Sequence, residues 1–186
     1  MKVHLIRHGM TEANEKQLYY GWTNIPLSKQ GRQDLIALKE TGIYKKADIY
    51  ITSGLARADE SLQILYGRKP DMIIEEFREM NFGAFEMKSH DELKDDPEYQ
   101  HWIAGGRSAI CPGGESRDTF VKRVMAGLEK LYDVKSESIA LICHGGVIVT
   151  IMEHFFPGKK QYYEWVPDNG RGYILDIESK RKAQNS

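Results

Sequence analysis

Short apolar runs alternate with helical stripes along this 186-residue chain, with no composition break, repeat or linker between them. That alternation selects an α/β architecture, because strands joined through helices pair in parallel and bury both faces. Lys2 to Arg7, Asp48 to Thr52, Met72 to Ile74, Ser138 to Cys143 and Tyr173 to Ile177 read as strands. A loop is expected from the first strand to Leu27. Ser28 then caps a helix that carries Leu35, Ile36 and Leu38 and stops at Gly42. Leu55 to Tyr66 is a second helix, closed by Gly67, and Ser116 to Tyr132 is the clearest, with Phe120, Val121, Val124, Met125, Leu128 and Leu131 at helical spacing. After a His144-Gly145-Gly146 turn, Val147 to Phe155 is a short helix stopped by Pro157. The expectation is one three-layer domain over 1–178, its mainly parallel sheet flanked by helices. A charged, Gly- and Pro-containing segment at about 86–114 forms a lid-like insertion, and 179–186 forms a frayed tail.

A chain of this length buries roughly 70% of the surface its unfolded form exposes, so no staple is needed to explain folding. Lys plus Arg number 26 against 27 Asp plus Glu, a formal charge of −1, and neither a basic stripe nor a charge block points to nucleic acid. No apolar run of about 18 residues and no charged-then-apolar leader is present, so neither a membrane partner nor a signal peptide is expected. Cys111 and Cys143 are isolated, which reads as two reduced structural thiols in a cytoplasmic protein. The oligomeric state is open at this level, and the expected partner is a small phosphorylated molecule.

That last expectation comes from three strand ends. Arg7-His8-Gly9 follows the first, Arg57 the second, and His144-Gly145-Gly146 the late one. In an open parallel sheet these carboxyl ends lie along one edge, where ligands bind. Two arginines suit a phosphoryl group because each guanidinium offers planar, paired N–H donors to its oxygens. The amides of Gly145 and Gly146, at a helix start, add anion binding. A neutral imidazole is a competent nucleophile toward phosphorus, which makes His8 the expected nucleophile. A metal site built from His4, His8 and His144 is the rival; no carboxylate or cysteine stands at ligand spacing, and arginines beside the histidines would repel a cation. No metal or cofactor is therefore expected.

The segment Arg7-His8-Gly9-Met10-Thr11 with Asn14, followed by Gly21-Trp22-Thr23-Asn24-Ile25-Pro26-Leu27-Ser28, resembles the histidine phosphatase, or phosphoglycerate mutase-like, superfamily. Ser53-Gly54-Leu55-Ala56-Arg57-Ala58, Glu79-Met80-Asn81-Phe82-Gly83 and Cys143-His144-Gly145-Gly146 are similar to its later blocks, in its order. The resemblance implies that His8 is phosphorylated and His144 hydrogen-bonds the moving phosphoryl group. It further implies that Arg7 and Arg57 clamp the phosphoryl oxygens and Asn14 adds a donor. Glu79 then protonates the leaving alcohol and later activates water, so it must carry a proton when substrate binds, and activity is expected to fall at alkaline pH. Gly21, Trp22, Thr23 and Gly145 complete the implied binding set.

The likeness is greatest to small bacterial α-ribazole phosphatases and broad-specificity phosphatases, and it implies a metal-independent phosphomonoesterase. α-Ribazole 5′-phosphate is one candidate substrate. Mutases of the superfamily are typically longer, with an inserted segment and tail that close the site, which favours water as the acceptor here. Mutase-type transfer and a non-catalytic phospho-ligand-binding role are the alternatives. Met10, Ser61 and the Phe85-Glu86-Met87 stretch depart from the usual pattern. From residues alone, Glu75, Glu76 and Glu86 compete with Glu79, and Thr11 and Asn14 serve equally as local caps. Tyr19, Tyr20, Trp22, Tyr162, Tyr163 and Trp165 are read either as an aromatic substrate pocket or as core.

Overall fold

In a computed structural model that describes residues 1–177, five strands form one sheet in the order β3-β2-β4-β1-β5. The strands are β1 (Lys2–Arg7), β2 (Ile49–Thr52), β3 (Met72–Ile73), β4 (Ser138–Cys143) and β5 (Gly172–Asp176). The first four run parallel, and β5 adds antiparallel to β1 at one edge. Helices α1 (Glu12–Glu15), α2 (Lys29–Glu40), α3 (Ala56–Tyr66), α4 (His90–Leu93), α5 (Pro97–Ala104), α6 (Arg117–Tyr132) and α7 (Gly145–Phe155) connect them. The expected α/β class with a mainly parallel sheet is what the chain adopts. The tail expected at 179–186 lies outside the described residues.

Strand alternation divides the core into two layers. Val3, Leu5, Ile139, Leu141 and Cys143 turn to the side packed by Val124, Leu128 and Leu131 of α6 and Val147, Ile148 and Ile151 of α7. Ile6, Tyr50, Ala140 and Ile142 turn to the opposite side, against Leu35 of α2 and Ala58, Leu62 and Leu65 of α3. Each fully buried leucine contributes about 1.5–3 kcal/mol. β1 and β4 are therefore buried on both faces, which explains their near-continuous apolar character.

The element ends differ from the sequence reading in places where hydrogen bonds compete. The expected loop after β1 contains α1, held by a reciprocal Thr11–Asn14 capping box. β2 begins at Ile49; Asp48 just before it donates its N–H to the Ser138 carbonyl at 3.1 Å and accepts the Ser138 N–H on its carboxylate at 2.9 Å. β3 ends at Ile73, and β5 is shifted to Gly172–Asp176. α7 begins two residues earlier than expected, since Gly145 and Gly146 are already helical and His144 is the N-cap residue. The 86–114 segment holds α4, α5 and a 3-10 turn at Gly106–Ser108; Leu93, Tyr99 and Cys111 anchor it in the core.

Candidate active site

The register of the two central strands sets the site. Arg7 pairs with Cys143, so the next residue of each strand, His8 and His144, emerge side by side with ring centroids 5.0 Å apart. β2 is in register one residue earlier, Thr52 against Ile142, and the residue after Thr52, Ser53, places its hydroxyl 2.8 Å from His144 Nε2. α3 starts just beyond and carries Arg57 into the same edge, where its side chain is wholly buried. Residues from three sequence-distant segments thus meet because three parallel strands end together.

His8 is 3% exposed and its Nδ1 lies 2.7 Å from the Gly9 carbonyl oxygen. A carbonyl only accepts, so in the neutral ring Nδ1 carries the proton and Nε2 carries the lone pair. Asn169 donates to the His8 carbonyl at 2.9 Å, and Gly9 N–H donates to Ser61 Oγ at 2.9 Å. Ser61 in turn donates to the Arg57 carbonyl at 2.6 Å, so the serine that departs from the usual pattern ties α3 to the histidine turn.

Burial first, and then the charge of Arg57, holds both imidazoles well below the ordinary histidine value of 6.5. In the unfolded chain both rings take up protons near 6.5, whereas the folded protein resists until the pH is much lower. The unfolded state then binds more protons, so stability falls as pH drops below about 6.5, by about 1.4 kcal/mol per pH unit for each such proton. His4, less buried, adds in the same direction. Urea midpoints measured at pH 7.5, 6 and 5 should decline steadily, and His144→Gln should flatten the decline; a pH-independent midpoint contradicts this.

Arg7 donates through Nη1 to the Pro167 carbonyl at 2.8 Å, and Arg57 donates to the Gly21 and Thr23 carbonyls at 2.6 and 3.1 Å while stacking 4.7 Å over Tyr20. Arg7 Nε, Arg57 Nε and His144 Nδ1 are buried and hydrogen-bond no other described group. Such groups normally have partners, which makes this edge suited to an anion rich in acceptors. Asn14 Oδ1 accepts from Tyr20 at 2.7 Å and from Thr11 N–H at 3.1 Å, leaving its NH2 end as a donor. Its capping role and a ligand role are therefore compatible.

Glu79 enters from the other side. One carboxyl oxygen accepts Gly146 N–H at 2.9 Å and the other accepts Met80 N–H at 2.8 Å. The expectation that the Gly146 amide is available to an anion is thus corrected: a carboxyl oxygen of Glu79 already takes it. A Cβ on Gly146 would lie 2.4 Å from Glu79 Oε1, so only glycine permits the approach. Glu75 and Glu76, the alternatives to Glu79, pair instead with Arg78 and Lys130.

The sequence reading missed the brace behind Glu79. All five N–H donors of Arg123 on α6 are engaged: two reach the Glu115 carboxylate at 2.7 Å each, and three reach the Glu76, Arg78 and Glu79 carbonyls at 2.8, 2.9 and 3.1 Å. Only an apolar stripe is legible on that helix, and a single carboxylate after Gly113-Gly114 is the one signal of a partner for it.

The loop expected to bind ligand through Gly21, Trp22 and Thr23 has its amides committed. Their N–H groups donate to the Glu86 carboxylate at 3.0, 2.7 and 2.6 Å, joined by the Thr23 hydroxyl and, at 3.2 Å, by Phe82 N–H. Burial pushes the Glu86 carboxyl up, but these donors outweigh it and hold the group below the usual carboxylate value. The Trp22 indole lies 5.6 Å and 5.8 Å from the guanidinium carbons of Arg78 and Arg123, on a separate groove.

Beside Glu79 opens a cavity of about 610 Å³ walled by aromatic side chains including Tyr19, Tyr20, Phe82, Trp102 and Tyr162. Tyr163 also lines it, whereas Trp165 is core and Trp22 is not brought to it. Its two arginines are already paired, Arg107 with Asp118 at 3.1 Å and Arg117 with Glu153 at 3.4 Å. Gly145, at the first position of α7, would place a Cβ 3.6 Å from Arg7 Nε. Among the described residues no three His, Cys, Asp or Glu side chains gather as a metal site, and no helix is long and apolar enough to cross a membrane.

Comparison with known proteins gives the family and the fold. The profile of the histidine phosphatase superfamily (branch 1) matches residues 3–185. The chain is 29% identical over 187 residues to adenosylcobalamin/alpha-ribazole phosphatase of Escherichia coli strain K12, covering 97% of this chain and 92% of that protein. The alpha-ribazole phosphatase of Shigella flexneri superposes with a TM-score of 0.84 at 28% identity, covering 95% of this chain and 91% of the other. A phosphoglycerate mutase from Thermus thermophilus superposes with a TM-score of 0.75 at 29% identity, covering 95% and 94%.

Proposed function

The chain belongs to the histidine phosphatase superfamily, branch 1, and from that membership we propose that it hydrolyses a small phosphomonoester through a phosphohistidine at His8. The observation that carries the reading is the commitment of His8 Nδ1 to the Gly9 carbonyl, which leaves Nε2 as the lone-pair nitrogen, with the buried Arg57 and the half-buried Arg7 at the same edge. Arg7 and Arg57, through the Nε groups that lack protein partners, hold the phosphoryl oxygens, and the NH2 of Asn14 and the amide of Gly145 add donors. Ser53 Oγ meets His144 Nε2, so Nδ1, which has no protein partner among the described residues, is the His144 nitrogen left for the phosphoryl group.

In the first step the His8 Nε2 lone pair forms the N–P bond as the ester P–O bond breaks, and Glu79 gives its proton to the departing alkoxide. In the second, Glu79 takes a proton from water, whose oxygen attacks phosphorus. The N–P bond breaks, returning the electron pair to Nε2 and releasing inorganic phosphate. Gly21 and Thr23 serve this site through their carbonyls on Arg57, while the amides of Gly21, Trp22 and Thr23 are held by Glu86.

The cavity beside Glu79 supports an uncharged, ring-bearing leaving group, as in the α-ribazole esters named for the relatives: aromatic walls suit a ring, and both lining arginines already pair with carboxylates. A sugar acid with a second anion, as a mutase requires, finds no unpaired cation there. Segment 86–114, which supplies Trp102, Ile103, Gly106 and Arg107 to the wall, is the lid of this leaving-group site. Initial rates in EDTA with α-ribazole 5′-phosphate, p-nitrophenyl phosphate and 3-phosphoglycerate test the reading. Chelator-resistant release is expected, with kcat/KM highest for the ring-bearing ester. A preference for 3-phosphoglycerate, or its isomerisation without phosphate release, overturns it.

A further inference from the structure

Glu86 touches none of the groups assigned to the chemistry, yet it sits one peptide away from Arg57. The carbonyl of Gly21 and the N–H of Trp22 belong to the same peptide group. That carbonyl accepts Arg57 Nη2 at 2.6 Å while that N–H donates to Glu86 Oε1 at 2.7 Å. A buried guanidinium and a carboxylate are thus joined through one polarised peptide plane, and hydrogen bonds in such a chain strengthen one another. Thr23 extends the arrangement: its N–H donates to Glu86 Oε2 at 2.6 Å and its carbonyl accepts Arg57 Nη1 at 3.1 Å.

The loop has little room to find another arrangement. A Cβ on Gly21 would stand 1.6 Å from the Met80 carbonyl oxygen, so the backbone of this loop is pressed against the residue that follows Glu79. With one N–H of Nη1 and one of Nη2 taken by the Thr23 and Gly21 carbonyls, the Arg57 donors left for a ligand are Nε–H and the second hydrogen on each Nη. Which edge of the guanidinium remains for a ligand is decided by where those two carbonyls point. Their direction is in turn set by the carboxylate gathering the N–H groups of Gly21, Trp22 and Thr23 on the opposite side.

We propose that Glu86 is the positioning residue for the Arg57 phosphoryl clamp, acting through the Gly21–Trp22 peptide. The inference rests on the reading of Arg57 as a phosphoryl ligand and adds to it the element that orients the guanidinium. A glutamine at this position is nearly isosteric but cannot serve. Its NH2 end would face either the Gly21 and Trp22 amides or the Thr23 amide and hydroxyl, leaving donor against donor in both orientations.

The experiment is a double-mutant cycle of Glu86→Gln and Arg57→Lys. It is read by the affinity for inorganic phosphate, by kcat/KM for p-nitrophenyl phosphate, and by the 15N–1H signals of the Arg57 guanidinium in the free protein. Glu86→Gln alone should weaken phosphate binding and lower kcat/KM by about tenfold, and it should shift or broaden the Arg57 signals. In the Arg57→Lys background, where the two-carbonyl fork is gone, the same change should cost less than about twofold. Equal losses in both backgrounds, or unchanged Arg57 signals in a folded Glu86→Gln protein, overturn the proposal. If wild type binds no phosphate while the Arg57 signals respond to Glu86→Gln, the positioning stands and the clamp reading of Arg57 falls. Should Glu86→Gln not fold, Thr23→Val removes only the hydroxyl donor to Glu86, and the same cycle should show a coupled loss of about two- to threefold.

Discussion

His8→Ala should abolish phosphate release, lowering kcat with p-nitrophenyl phosphate by at least about 10⁴-fold, because no other group on the sheet edge offers a lone pair in the same place. Ser53 and Ser61 hydroxyls are engaged with His144 and the Arg57 carbonyl, and the second imidazole is tied to Ser53. The variant should keep its fold, since the buried ring makes one side-chain hydrogen bond, to its neighbour's carbonyl. It should also keep affinity for inorganic phosphate, which depends on the arginines. A second readout separates loss of the nucleophile from general damage. Wild type mixed with labelled substrate and quenched in alkali should carry an acid-labile phosphoryl label, and His8→Ala should carry none. Persistent turnover in the variant would mean that water attacks the ester directly.

Gly146→Ala should divide stability from activity. Gly146 lies in the first turn of α7, where alanine is the better helix former by about 1 kcal/mol. The atom its new methyl group would strike, at 2.4 Å, is the far end of the Glu79 side chain, which can swing away. The Tm should therefore stay level or rise. The displaced carboxyl loses its bond to the Gly146 amide, and with it the position from which it serves the leaving oxygen. Misplacement by about 1 Å costs about 10²-fold when the group is a proton donor in the transition state. The loss should depend on the leaving group: about 10²-fold for an alkyl phosphate, whose alkoxide needs the proton, and about tenfold or less for p-nitrophenyl phosphate, whose phenolate leaves as a stable anion. Equal losses for both esters would remove Glu79 from the proton-donor role. A fallen Tm would show that α7 itself had shifted.

Much of this was legible because the local signals and the tertiary arrangement agree. Thr11, Ser28 and Ser116 are side-chain caps of α1, α2 and α6, and Gly67 closes α3 in the left-handed conformation that a Cβ disfavours. One boundary that moved involves a distant partner: α7 begins at Gly145, where a Glu79 carboxyl takes the Gly146 amide of its first turn. Trp22 shows the limit on the site itself. Its neighbours in sequence bind Arg57, but its own ring turns outward to Arg78 and Arg123, and no periodicity in a loop encodes that direction.

What the amino-acid sequence determined by itself is the set of reactive groups and the elements that carry them. Apolar runs buried on both faces must become parallel strands, and Arg7-His8, Arg57 and His144 follow three of them in order. What only the tertiary structure decided is which groups are already occupied. The lone-pair nitrogen of His8, the five-donor brace of Arg123 and the capture of the Gly21–Thr23 amides by Glu86 each join residues by hydrogen bonds. A hydrogen bond is specified by tenths of an ångström and by angle, whereas sequence spacing along a loop constrains its ends only to within its contour length.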